Sequence, residues 1–480
     1  MKRLISNPVA ILLVLLALIT SCKKDFIDLN TNPNAVTHAL PRTLLAPTLT
    51  DIVSGNMNRS QRITNELMQV TVNMGDTEGK IFRYDIRKSE GDYLYNLWYA
   101  QLTNLNDMYT GAEETNSPEF KGIALICKAW VFSLLTDTYG DVPYFDANKA
   151  RDGLFTPAFD RQKDIYTDIF LKLEEANTLL MNAGDVLSSS DPVFGGKTAL
   201  WRKFGNSLYL RLLLRVSGKA EMNVPAKIKE IVEAKASNYP LMQNNSESAI
   251  LKWTGAAPYV SPFATWRDAD WYTPKLASFF VDNLNEWSDP RIQKWGTLYQ
   301  GEYAGVPGGY PPGQAPVAKS SLSTSLMTEP LLGNIMNYAE LQFILAEAAA
   351  KGWIGQSAKN YYEAGVESAI KQWQLDVPSG YLTNERARWD DNYSLDQKME
   401  LIHLQKYYAL FFTDLQSWFE CRRTGHPFLP KGTGLLNNGV LPARLNYPVY
   451  VQSVNPENYK AAVASQGPDD VTTNVWWQRP

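Results

Sequence analysis

Histidine is scarce in this chain: only His38, His403 and His426 occur in 480 residues. None lies in an HExxH pattern and no two share a helix face, which argues against metal catalysis through histidine. Cysteine is equally scarce, with Cys22, Cys127 and Cys421. Two cysteines beyond position 22 make no disulfide framework. They read as buried thiols, and a single disulfide between them stays open in an oxidising compartment. A GxSxG nucleophile elbow is missing. Gly195-Gly196-Lys197-Thr198 has the end of a phosphate loop, but position 191 is Asp191 where the leading glycine belongs, and no strand precedes it. It reads as a helix-start turn. Blocks of Lys and Arg are missing too. With a formal net charge of −4, the surface is mildly acidic and nucleic acid is excluded as a partner. Beyond the N-terminus no apolar run approaches the ~18 residues needed to span a bilayer.

The N-terminus does carry a pattern. Lys2 and Arg3 form a basic n-region, and Val9 to Ile19 is an unbroken apolar run. It is about half the length of a membrane span, so it reads as a signal h-region. Ile19-Thr20-Ser21-Cys22 then matches a bacterial lipobox, with small residues before the cysteine that takes the lipid. The expectation is a lipoprotein signal peptide over 1–21 and lipid on Cys22. One acyl chain holds a protein to a membrane only marginally, whereas two or more hold it stably. Residues 22–41, centred on Asn-Thr-Asn-Pro-Asn, read as an extended tether.

From residue 42 to 480 no interior linker divides the chain, and the pattern is mainly α. In Asp160–Met181, Ile165, Ile169, Leu173, Ala176 and Leu180 recur at helical spacing and define one buried face. A denser apolar helix is expected over Trp201–Val216. Asn337–Lys351 and Ser357–Trp373 read as a helix hairpin with Ala346, Ala349, Ala364 and Gly365 where the two meet. Its length and texture are those of a tetratricopeptide unit, although no strict repeat recurs. Ser394-Leu395-Asp396-Gln397 is a capping-box sequence that opens a helix running to about Phe412.

The stretch from about 253 to 325 breaks this pattern. It holds five of the fourteen tryptophans, and eight of the twelve residues from Gly305 to Pro316 are Gly or Pro. Neither a helix nor a central strand continues through such a run, and long loop-rich insertions are usually functional. Aromatic rings offer flat apolar faces at low entropic cost, suited to stacking on the C–H faces of a sugar while amides and carboxylates bind its hydroxyls. Core packing is the competing use of each ring. Trp266, Trp271 and Tyr272, flanked by Arg267, Asp268 and Asp270, are expected to be exposed, as are Tyr303 and Tyr310 in the Gly/Pro loop. These five are the candidate ligand contacts. No pair of carboxylates is marked for glycosidase chemistry, which needs two about 5–9 Å apart. No metal site and no cofactor are expected.

Several stretches together resemble the SusD/RagB family of nutrient-binding outer-membrane lipoproteins. They are the tether Cys22-Lys23-Lys24-Asp25-Phe26-Ile27-Asp28-Leu29-Asn30 with Asn32-Pro33-Asn34, then Tyr139-Gly140-Asp141-Val142-Pro143-Tyr144, then Asn206 to Arg211. Tyr338-Ala339-Glu340 with Ala346-Glu347-Ala348-Ala349 and Gln405-Lys406-Tyr407 follow. The strongest piece is Trp418-Phe419-Glu420-Cys421-Arg422-Arg423-Thr424-Gly425. Pro442-Ala443-Arg444-Leu445 with Tyr447-Pro448 and a terminal Trp476-Trp477 complete the order. Cys421 stands where an aromatic residue is common and Ala443 where a basic one is. The resemblance implies a mainly α-helical protein with tetratricopeptide-like helix pairs and a variable binding face. It implies a non-enzymatic lid on a SusC-like TonB-dependent transporter, placed on the outer surface of the outer membrane. The ligand is expected to be an oligosaccharide, with a peptide as the alternative. A glycan-cleaving enzyme and a scaffold binding only proteins are the other readings, the latter marked by Trp266, Trp271 and Tyr310 lying in the core. Arg422 and Arg423 are expected to be structural.

Overall fold

The computed structural model describes residues 39–75 and 79–479. The expected signal peptide, Cys22 and the tether up to residue 38 lie outside them. The longer helices, in chain order, are α1 (Pro41–Arg59), α2 (Asp92–Glu114), α3 (Pro118–Tyr139), α4 (Gln162–Leu179), α5 (Thr198–Arg215), α6 (Ser278–Glu286), α7 (Tyr338–Ala350), α8 (Ala358–Lys371), α9 (Leu395–Ala409), α10 (Gln416–Thr424) and α11 (Pro456–Gln466). The strands are few and short. β1 (Thr71–Asn73) pairs antiparallel with β3 (Pro274–Leu276), and β2 (Ala249–Ile250) with β4 (Asn334–Met336). Among the described residues no helix is long and apolar enough to cross a membrane.

Local chemistry sets the helix ends. Ser394 accepts from the Gln397 amide while Gln397 reaches back to Ser394, so the capping box that opens α9 is complete. Asn337 and Ser357 cap α7 and α8 by accepting from the Glu340 and Asn360 amides. Pro118 begins α3, and Gly140 ends it at φ +85°. At Gly140 a side chain would collide with Gln466, whose Oε1 accepts from the Asp141 N–H. Gly195 and Gly196 also have positive φ and form the turn into α5. Asp191 organises that turn by accepting from Val193, Phe194 and Gly196 amides and from the Trp201 indole. α9 stops at Ala409, short of the expected Phe412, because Phe412 and Asp414 take positive φ and reverse the chain into α10.

The helices pack as consecutive neighbours: α1 on α2, α2 on α3, α3 on α4, α4 on α5, and α7 on both α8 and α9. Ile165, Ile169, Leu173, Ala176 and Leu180 are all buried, as their spacing predicts. Glycines mark close approaches, Gly205 meeting Ile126 on α3 and Gly365 meeting Phe343 on α7. Cys127 and Cys421 are free, buried thiols, and burial pushes Cys421 up to about 12.

The end of the helical array encloses a charged core. Arg423 bonds Glu347 through both oxygens (2.8 and 2.7 Å) and Glu420 at 2.8 Å. Lys406 donates to Glu420 at 2.7 Å, and Arg215 lies 3.2 Å from it. His403 Nε2 stands 3.1 Å from Glu347. Burial opposes the charge on Glu347 and Glu420, but Arg423 overrides it and holds both carboxyls well below their usual range. Glu347, His403 and Glu420 bring donor atoms within 4.8 Å of one another, yet side-chain cations already supply the balancing charge. Arg422 donates to the Asp137 carbonyl and to Gln478, with its guanidinium against Trp418 and Trp477. Both arginines therefore hold scaffold.

Candidate functional site

The β1–β3 pairing places Asn73 opposite Pro274. It joins two segments some two hundred positions apart, the chain after α1 and the start of the loop-rich stretch. Between them opens a cleft of ≈ 350 Å³. One wall carries Gln61, Arg62, Glu66, Asn73, Lys80 and Arg87. The other carries Trp266, Asp270, Thr273 and Pro274. Residues 76–78, outside the described residues, connect two members of the first wall.

The polar groups of the cleft are held from behind. Arg62 donates to Glu90 at 2.5 Å, while its own side chain remains half exposed. Asn73 Oδ1 accepts from Lys80 Nζ (3.2 Å) and from the Gly75 amide (3.1 Å). Asp270 receives two bonds from Arg267, at 2.8 and 2.9 Å. Glu66 is buried and accepts from the Phe82 amide at 3.1 Å. Burial raises its pKa to about 7, against that amide and the charges of Arg62 and Lys80.

Glu66 makes stability depend on pH. A carboxyl raised in the folded state, from 4.5 to about 7, is without penalty below the unfolded pKa. It costs stability as pH rises through the folded value. Linkage puts that cost at up to about 3 kcal/mol above pH 7. Glu66→Gln keeps the acceptor for Phe82 and cannot ionise, so it is expected to raise the thermal midpoint at pH 8 and leave it unchanged at pH 4.5. Equal shifts at both pH values would show that folding does not raise the Glu66 pKa.

Of the five aromatic candidates, only Trp266 lines the cleft. It is partly buried, with its ring edge-on to Phe263 (5.2 Å, 84°) and to Trp271 (6.0 Å, 78°). Among the described residues its indole N–H meets no acceptor, although its backbone amide bonds Phe263. Trp271 is a correction to the expected exposure. It is fully buried, its indole donates to the Ser323 carbonyl, and its ring leans on Phe263. The turn of helix Asp268–Tyr272 lies on the surface, exposing Asp268, Ala269 and Asp270 and directing Trp271 inwards. Flanking charges thus report where the backbone runs and not where the indole goes. Tyr310 is the second correction. It is buried with Val72, Phe82, Ala277 and Val306, its ring 4.9 Å from Phe82 and its hydroxyl 3.3 Å from the Asn73 carbonyl. The Gly/Pro loop folds back beneath β1, and its tyrosine becomes part of the support behind the cleft. Tyr272 and Tyr303 are partly buried against the main core and do not line the cleft. Trp271→Ala is accordingly expected to cost about 3–5 kcal/mol in unfolding free energy, read from a denaturant titration. A loss below about 1 kcal/mol would place Trp271 outside the core.

Gln61, Arg62, Glu66, Asn73, Lys80 and Arg87 were not among the residues that the sequence singled out. The available signal was slight: the polar run Gly75-Asp76-Thr77-Glu78-Gly79-Lys80, bracketed by glycines soon after a helix.

A helical scaffold and a polar cleft lined by one partly exposed indole suit the binding of a ligand. The sequence matches the SusD-like family model described as starch-binding and associating with the outer membrane, over residues 33–448. The chain belongs to that family. No curated protein sequence matches it. Among solved structures it is similar to a SusD homologue of Bacteroides fragilis, with 25% identity and a TM-score of 0.79, covering 92% of this chain and 100% of that one. A SusD homologue of Bacteroides uniformis shows 25% identity and a TM-score of 0.78 over 91% of this chain and 99% of that one. A protein described as chitin-binding, with no organism named, shows 26% identity and 0.77 over 92% and 100%. The chain is thus a mainly α-helical SusD-family nutrient-binding protein of the outer membrane, tied to TonB-dependent uptake, and not an enzyme.

Proposed function

We propose that this protein captures an oligosaccharide in the cleft between residues 61–87 and 266–274 and presents it to a SusC-like TonB-dependent transporter. One observation carries the ligand class: Trp266, its indole N–H without a partner among the described residues, stands in a cleft whose lining includes Arg62, Asn73, Lys80 and Asp270. A ring to stack on and a surround of donors and acceptors suit a sugar, which has apolar C–H faces and hydroxyl edges. The chitin-binding description of one similar structure agrees with this reading. With Trp271 and Tyr310 buried and Tyr272 and Tyr303 off the cleft, Trp266 is the candidate ring that lines it. The burial of Trp271 and Tyr310 removes two of the three rings whose exposure would have spoken against a scaffold binding only proteins.

The remaining parts of the proposal concern placement. Lipid on Cys22 and the segment to residue 41 would tether the domain at 42–480 to the outer leaflet, facing the exterior. A lid that swings open over a transporter must not diffuse away, and a lipid with a tether permits that motion. The α7–α8 hairpin and its neighbours, packed in tetratricopeptide-like pairs, would hold the variable stretch 253–325 rigidly over the transporter mouth. Calorimetric titration of the purified protein against neutral oligosaccharides and against short peptides tests the ligand class. Saturable binding of a glycan that peptides do not displace is expected. Binding of peptides alone would replace the sugar with the peptide alternative.

A further inference from the structure

A second concavity, of ≈ 370 Å³, shares no residue with the cleft. It lies over the middle of α3, between α2 and α4, and is closed at one end by the turn 144–152. Its volume falls in the range that holds small ligands, about 300–1,000 Å³. Three lysines line it. Lys149 bonds Asp146 at 2.8 Å, and Lys172 lies 3.4 Å from Glu175. Lys128, projecting from α3, is different. Among the described residues no carboxylate lies within ion-pair distance of its ammonium, whose one close partner is the ring of Tyr109, 5.2 Å to the centroid. One wall carboxylate, Asp168 on α4, accepts from the Tyr144 hydroxyl at 2.7 Å.

Aromatic surface meets this ammonium at the mouth. Phe145 is 50% exposed. It is held edge-on to Tyr144 at 4.9 Å, and Tyr144 in turn packs on Phe132 at 4.4 Å. The ring lines the groove and offers it a flat apolar face. Asn106 and Thr110 on α2 add uncharged polar groups.

We propose that this groove is a second ligand site, taking a hexuronate residue whose carboxylate binds the Lys128 ammonium and whose ring lies against Phe145. A single unpaired ammonium balances one negative charge. A phosphate dianion would face Asp168 and Asp152 with, among the described residues, one lysine of the groove outside an ion pair. The walls are helices and a turn, offering no strand edge for a peptide backbone to pair with. The site would add selectivity for acidic glycans to the protein, independently of the cleft at Trp266.

Charge around Lys128 agrees with such a role. Burial, followed by the like charge of Lys172, lowers its pKa to about 8, against the carboxylates of Asp168, Glu113 and Glu175. Glu113 lies on α2 with Tyr109, and Asp168, Lys172 and Glu175 on α4. A bound carboxylate would restore the ammonium's usual range and draw in a proton above pH 8.

The test is calorimetric titration of the purified protein with glucuronate, galacturonate and mannuronate trisaccharides, their neutral methyl esters, and a tri-aspartate peptide. At least one free acid is expected to bind, with its methyl ester at least tenfold weaker. Lys128→Met should weaken the free acid at least tenfold, Lys128→Arg should retain part of the affinity, and Trp266→Ala should leave it unchanged. At pH 8.5, heats in two buffers should report uptake of up to about 0.7 proton per ligand. The ester comparison needs no variant, so a misfolded Lys128→Met leaves the test intact. Failure of all three acids to bind, equal binding of acid and ester, or loss in Trp266→Ala with none in Lys128→Met would overturn the site. Lys128-dependent binding of tri-aspartate in preference to the sugars would overturn the hexuronate. Loss of neutral-glycan binding in Trp266→Ala tests the cleft separately.

Discussion

Trp266→Ala is expected to weaken neutral-glycan binding at least thirtyfold while the protein stays folded. Among the described residues the indole is the one aromatic ring lining the cleft, and its N–H meets no acceptor. Truncating a tryptophan anchor in a desolvated contact costs about 2 kcal/mol or more, which is roughly thirtyfold in Kd. The fold tolerates the change because Trp266 is only partly buried and the core contacts behind it belong to Phe263 and Trp271. Trp266→Phe should recover part of the affinity, since a smaller face still stacks but the N–H is lost. The measurement is a titration with whichever neutral glycan the wild-type protein binds, together with a thermal unfolding scan. Wild-type affinity in Trp266→Ala would remove this cleft as the binding site.

Glu420→Ala is expected to destabilise the protein by about 3–5 kcal/mol without touching either concavity. Glu420 answers three cations at once: Lys406, Arg215 and Arg423. Lys406 and Arg215 are 1% and 0% exposed at their side chains, so neither can turn to water when the carboxylate is removed. Breaking one side of a buried charge pair costs that much because the other side stays buried and uncompensated. The argument has a discriminating control. If leftover charge is the cause, Lys406→Met added to Glu420→Met should recover stability relative to the single Glu420→Met change. Denaturant unfolding of the single and double variants measures this. A double variant no more stable than the single one would assign the loss to packing.

How much of this was legible beforehand varies residue by residue. The hairpin around Gly352–Gly355 and the buried stripe from Ile165 to Leu180 followed from periods and caps. The turn at Gly195–Gly196 did too, and Asp191, which disqualified a phosphate loop, is the residue that builds that turn. The cleft was half legible. The aromatic-rich stretch drew attention to Trp266, but also to Trp271 and Tyr310, which the fold uses as supports. Local composition cannot separate these, because a surface turn of helix exposes three residues and buries a fourth within one short run. The opposite wall, from Gln61 to Arg87, carried no chemical motif at all.

By itself the sequence determined a composition with three histidines, three cysteines and a formal net charge of −4. It also determined the helices, since caps, glycines and apolar stripes act between residues within a turn or two of each other. Only the tertiary structure decided which aromatic ring meets the cleft and which lysine is left without a carboxylate. Both depend on long-range placement. β1 must find β3 to bring Asn73 to Pro274, and α2 and α4 must flank α3 for Lys128 to be buried away from a counter-ion. Contacts between residues so far apart in the chain leave no periodic trace in it.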